Sequence, residues 1–168
     1  MDLRRVLCEE NLVFREKTGG VSDGVRDGFV INVTVREFYY SFKKHYHCYK
    51  EIRGYEKTKR LILFYAVECG LKCRLMQRTG KNTYHELLAC DEMDRLKKDG
   101  HNIRLLLQKN EVDRFRIGVI RMTGRQASVT PGEFNQLWRY GIKDTVYEDE
   151  TAAEDVLCEI AVWLDGEI

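Results

Sequence analysis

Two consecutive segments carry apolar or aromatic side chains at one repeating interval, four residues then three. The first holds Val35, Tyr39, Phe42, Tyr46 and Tyr49; the second holds Ile62, Ala66, Cys69, Cys73 and Met76. That interval returns a side chain to the same side of an α-helix and scatters it over both faces of a strand, so the chain must pack helices against helices. The spacing predicts one helix from Val35 to about Arg53, stopped near Gly54, and a second from about Glu56 to Arg78, stopped at Gly80. Leu61, Leu63, Phe64, Val67, Leu71 and Leu75 add apolar surface to the other sides of the second helix. A helix apolar nearly all round belongs at the centre of a bundle.

The remaining pattern fits around that pair. Residues 1–31 hold Gly19, Gly20, Gly24 and Gly28 among Ser, Asp and Thr, a turn-forming composition, and are expected to form a loop-rich arm with a short strand near Phe29–Val33. Residues 32–168 are then the helical domain. A short helix is expected from His85 to Leu96, ending by Gly100, and another from near Asn102 with Ile103, Leu106 and Leu107 facing inward. Phe115–Met122 is rich in β-favouring Ile117, Val119 and Ile120 and reads as a strand or an extended insert. The only proline, Pro131, lies between Thr130 and Glu133, the spacing of a capping box, and predicts a helix with Phe134, Leu137 and Trp138 inward. The last helix is expected from about Thr151 to Leu164, with Ala153, Val156, Leu157, Ile160, Trp163 and Leu164 as its apolar positions. The fold class is therefore mainly α, a four- to five-helix bundle with at most a short β element near 115–122.

Several chemistries are disfavoured. No apolar run approaches the roughly 18 residues that cross a bilayer, and MDLRRVLCEENLVF turns to charge before a signal-peptide core develops, which predicts a cytoplasmic protein without membrane contact. The six cysteines contain no CxxC and are irregularly spaced, so reduced thiols are expected rather than disulfides or a metal site. Cys69 and Cys73 fall on the apolar stripe and are read as buried thiols. His45 and His47 lie about 200° apart on a helix and cannot share a metal. No phosphate-binding loop, nucleophile elbow or zinc-binding His-Glu-x-x-His occurs. No metal and no cofactor are expected.

Charge sums to +1 but is unevenly placed. Residues 35–60 carry eight Lys or Arg against three acids, with five of the nine tyrosines, whereas residues 144–168 carry nine acids and no Lys or Arg. Basic and aromatic side chains on one helix suit phosphate backbones and bases, which makes Lys43, Lys44, His47, Lys50 and Arg53 the candidate nucleic-acid surface. The plainer reading is that the tyrosines are core and the lysines a solvated face. The acidic end suits the basic face of a second copy.

Four segments resemble the HEPN superfamily, helical bundles of prokaryotic toxins, antiphage proteins and CRISPR-associated RNases. They are Lys57–Met76 with its Ala-Val-Glu-Cys-Gly-Leu-Lys centre, Gly100–Leu107 beside the family's Gly-His-Asp-Leu, the turn Trp138–Gly141, and Glu150–Leu164. The resemblance covers about Val35–Leu164 and implies a dimer, or a partner subunit in a defence complex. Active members are metal-independent RNases with an Arg-x4-6-His motif, whose histidine assists 2′-hydroxyl attack and whose arginine stabilises the developing charge. The corresponding positions here are Arg139 and Asp144, with Tyr147 beyond. Aspartate replaces the histidine, and its charge repels phosphate. Literal matches occur at Arg78 with His85, in a polar loop with Lys81, and at Arg95 with His101, where the family has a structural histidine opening a helix. The resemblance thus implies a module binding RNA, a nucleotide or a partner subunit without conventional catalysis. The alternatives are a metal-independent endoribonuclease using Arg139, Asp144 and Tyr147 or Arg78 and His85, and an unrelated helical assembly subunit.

Overall fold

A computed structural model describes residues 31–168. All but the last residue of the expected N-terminal arm lie outside that range. Residues 31–33 do not continue the expected strand: Val33 and Val35 hydrogen-bond to the Asn82–Tyr84 backbone, and Thr34 forms an isolated bridge with Thr83. Thr34 then starts α1 (Val35–Glu51) through a capping box, its hydroxyl accepting from Glu37 N while the Glu37 carboxylate accepts from Thr34 N at 2.7 Å. Gly54 (φ 71°) and Tyr55 (φ 52°) take left-handed backbone and reverse the chain into α2 (Glu56–Thr79), which ends on left-handed Gly80 as expected.

Leu63, Phe64, Ala66, Val67 and Leu71 of α2 have no exposed surface, which confirms it as the central helix. Along α1 the deepest side chains are Phe38 and Phe42. Tyr39, Tyr46 and Tyr49 are half-buried against the core, so the stripe is right in side and uneven in depth.

The helix expected over His85–Leu96 is three pieces: α3 (Tyr84–Leu88), a 3-10 turn (Asp91–Met93) and α4 (Asp94–Lys98). Asp91, Glu92 and Asp94 follow one another there, and acids favour helix starts over interiors. The α5 helix (Ile103–Lys109) begins where predicted, with Asn102 Oδ1 accepting from Leu105 N, and buries Ile103, Leu106 and Leu107. Of Phe115–Met122, only Ile120–Arg121 forms a strand, β1, antiparallel to β2 (Ser128–Val129).

At Thr130 the box closes in one direction only. The Glu133 carboxylate accepts from Thr130 N and Oγ, but Glu133 N goes to the Thr130 carbonyl, making residues 131–133 a turn. The α6 helix (Phe134–Arg139) starts after it, with Phe134, Leu137 and Trp138 inward. The last helix, α7 (Tyr147–Glu167), starts a full turn before Thr151, and its first turn contains Glu148, Asp149 and Glu150. Unpaired N–H groups at a helix start stabilise such charges.

The described chain is thus seven helices and one two-stranded sheet. Helices α1, α2 and α7 meet at Gly70, where an added Cβ would lie 2.8 Å from Leu164 Cδ1 and 3.0 Å from Phe42 Cδ2. No helix among the described residues is long and apolar enough to cross a membrane.

Candidate nucleic-acid interface

The basic residues of α1 do not stand free of its tyrosines; cations and rings pair along the helix. The Arg36 guanidinium lies 5.4 Å from the Tyr40 ring centre, Lys43 Nζ 5.3 Å from Tyr39 and Lys50 Nζ 4.5 Å from Tyr46. Lys59 of α2 extends the row, 4.9 Å from Tyr49. The Tyr39, Tyr46 and Tyr49 rings lean against the core, as the plainer reading expects, whereas Tyr40 is exposed and Lys59 is also paired with Glu154 at 3.4 Å. Lys43 also pairs with Asp165 at 2.6 Å. Arg53 lies beyond the helix end and donates back to the Lys50 carbonyl at 2.6 Å. His47 and Lys44 are exposed on the same helix.

Behind this face, acids of α7 meet cations of their own chain. Arg60, 3% exposed, donates through Nη1 to Glu150 at 3.0 Å and through Nε to Glu154 at 2.9 Å. Glu150 also accepts from Lys57, Thr145 and Trp138 Nε1. Burial opposes its charge, but these donors outweigh burial and hold its pKa below the ordinary 4.5. Glu154 accepts from the Tyr49 hydroxyl at 2.9 Å, which ties α1 into the network; burial, Cys158 and Glu154 push that phenol far up. Much of the acidic end is therefore matched inside the chain.

The positions carried over from the HEPN motif sit at the edge of this network. Arg139, at the end of α6, is exposed and donates to the Tyr65 hydroxyl. Asp144 is exposed in the following loop; its carbonyl accepts from Thr123 N at 3.0 Å. Tyr147 opens α7 with its ring 5.6 Å from the Arg60 guanidinium. No hydrogen bond or ion pair among the described residues joins Arg139, Asp144 and Tyr147 to one another. Arg78 is turned toward α5, bound to Glu111 at 2.6 Å and to the Lys109 carbonyl, whereas His85 N bonds Asn32 Oδ1 at the opening of α3. That pair is not brought together by a direct contact either.

A cluster absent from those candidates lies along one side of α2. Glu68 and Lys72, 6% and 7% exposed, pair at 2.5 Å, and the other Glu68 oxygen holds His101 Nδ1 at 2.9 Å. Burial opposes the Glu68 charge, but His101 and Lys72 bring its pKa below the ordinary range. The Lys72 ammonium lies 4.9 Å from the Tyr84 ring, and the buried Tyr84 hydroxyl has no hydrogen-bond partner. One turn before Glu68, Tyr65 takes Arg139 on its hydroxyl and has the His45 ring 6.3 Å away. Burial lowers the His45 pKa, partly offset by Glu68, and its Nδ1 is buried without a partner. Thus α2 brings a histidine of α1 and the arginine of α6 to one tyrosine. The Ala-Val-Glu-Cys-Gly-Leu-Lys segment was visible as a motif, but its two charges inside an apolar helix were the signal of a buried pair.

Among the described residues, no three His, Cys, Asp or Glu side chains converge as a metal-binding group. No family model, no curated protein and no solved structure matches this chain.

Proposed function

We propose that this chain is an RNA-binding helical module whose interface is the exposed face of α1. The observation that carries this reading is the row of cation–ring pairs from Arg36/Tyr40 to Lys59/Tyr49. Ammonium heads neutralise successive phosphates and the exposed Tyr40 ring offers a surface on which an unpaired base stacks, the combination by which single strands are held. The resemblance to HEPN bundles, with its implied place in a prokaryotic defence or toxin-type system, adds to this reading. The test is fluorescence anisotropy of a labelled single-stranded RNA over a salt series. Changing Lys43, Lys44 and Lys50 together to Glu abolishes binding, and any residual binding has a log–log salt slope smaller by about two, at roughly 0.7 per lost phosphate contact. Affinity within twofold of wild type, with the melting curve unchanged, removes α1 as the interface.

A second reading, metal-independent RNA cleavage, is favoured by the shared Tyr65 neighbourhood of Arg139 and His45. A neutral histidine is a proton acceptor and an arginine an anion stabiliser. Incubating the same RNA in EDTA separates the readings: intact RNA supports binding alone, while 2′,3′-cyclic phosphate ends that disappear in Arg139→Ala or His45→Ala support cleavage.

A further inference from the structure

Away from α1 and the Tyr65 cluster, a cavity of about 550 Å³ lies between α5 and the segment after it. Its construction is specific. Glu111 takes left-handed backbone (φ 57°) and turns the chain back over α5, and Val112 N donates to the Leu107 carbonyl at 3.0 Å. Arg104 then fastens the returning segment, with Nε and Nη2 donating to the Ile117 carbonyl at 2.9 and 2.7 Å. Leu107, Val112, Phe115 and Ile117 form the apolar wall, and Phe115 is braced by the Trp163 ring 5.5 Å away.

Besides Arg104, three polar side chains line the same cavity: Gln108, Asp113 and Arg116. None of the three has a side-chain hydrogen bond or ion pair among the described residues. Gln108, Asp113 and Arg116 are exposed at the rim of the apolar wall, where a carboxylate and a guanidinium held by no other side chain are suited to a ligand presenting both donors and acceptors on a flat apolar body.

We propose that this cavity is a guanine-selective base pocket. A carboxylate accepts two parallel hydrogen bonds, and guanine alone among the RNA bases places two donors, N1–H and the exocyclic N2–H, side by side on its Watson–Crick edge. Adenine and cytosine present a donor next to an acceptor there, and uracil presents one donor between two acceptors, so each meets Asp113 with a repulsive or missing contact. Guanidinium donors match the O6 and N7 acceptors of guanine, which assigns Arg116. The apolar wall covers the ring faces, as proteins do with unstacked RNA bases. The base comes either from RNA or from a free guanosine nucleotide, and only the first source rests on the RNA-binding reading.

Trp163 supplies the readout, since it packs on Phe115 at the pocket wall whereas Trp138, the other tryptophan, is buried in the core. Titration of the full chain with 5′-GMP gives a saturable change in tryptophan fluorescence, and 5′-AMP binds about tenfold more weakly or worse. Asp113→Asn, which replaces an acceptor oxygen by a donor, reduces the preference while leaving the melting curve unchanged; Arg116→Ala weakens GMP binding and keeps the part of the preference that Asp113 supplies. A uridine hexamer carrying one guanosine, compared with all-uridine, identifies the source: binding more than tenfold tighter than GMP marks RNA, and equal affinity marks the free nucleotide. Changing Lys43, Lys44 and Lys50 to Glu abolishes RNA binding without touching GMP affinity, so failure of the α1 reading is distinguishable from failure of the pocket. Equal response to GMP and AMP, no saturation with either up to about 10 mM, or an unaltered preference in Asp113→Asn overturns the proposal.

Discussion

Removing Glu150 strikes the point at which four elements converge. Its side chain is 3% exposed and accepts from Arg60, Lys57, Thr145 and Trp138. In Glu150→Ala, Trp138 Nε1 loses its acceptor inside the core, and Arg60 keeps Glu154 alone for a guanidinium that is 3% exposed. An orphaned buried donor costs about 1–3 kcal/mol, and breaking a buried ion pair on one side costs about 3–5 kcal/mol. Lys57, at 26% side-chain exposure, reaches water and adds little. The expected loss is about 3–5 kcal/mol in urea unfolding near neutral pH. The sign with pH follows from the depressed pKa of Glu150. Its stabilisation is complete above the ordinary 4.5 and fades as pH falls through the lower folded value, so wild type and variant converge in acid. Adding Arg60→Met recovers part of the loss, because the unpaired charge goes with it. A loss below about 1 kcal/mol, or a deficit that grows in acid, refutes the account of this network.

Two further outcomes test other parts of the fold. Burial pushes the Cys69 and Cys73 thiols up to about 12 and about 11, so both resist iodoacetamide at pH 8 in the folded protein and react fully in denaturant; modification of either in the native state, read by mass spectrometry, contradicts the packing. Asp149 takes the Arg121 side chain and backbone N–H, which hold its carboxyl down at about 2, so NMR titration finds it ionised throughout pH 3–8. Arg121→Ala returns it toward the ordinary 3.8, and a carboxyl titrating there in wild type removes the bridge.

The helices that periodicity made legible are those long enough to carry it. For α1, α2 and α7, residues three and four apart share a side, and the inward residues of α5 and α6 followed from two or three positions each. Boundaries failed where short-range polar bonding competes with the helix. Glu133 satisfies Thr130 and yet leaves a turn, and the acids 91, 92 and 94 restart the chain twice. The candidate interface was legible in composition, since the Lys and Tyr positions of α1 were visible, but which ring each cation covers depends on rotamers. The junction of His101 with the Glu68–Lys72 pair and the approach of His45 to the Arg139 partner Tyr65 depend on helix crossings that no local pattern encodes, and the cavity at Asp113 depends on the left-handed turn at Glu111.

The Arg60–Glu154 bond closes 94 residues of chain. The α1–α2 hairpin can assemble from neighbours in sequence, but during synthesis it emerges with Arg60 still uncovered, because its partners on α7 are translated some 90 residues later. Loop closure over that distance makes α7 docking the late and slow event. A ribosome-bound or truncated chain ending before α7 therefore leaves the Arg60 and Gly70 side of α2 without its cover, a window in which chaperone capture or self-association competes with completion of the fold.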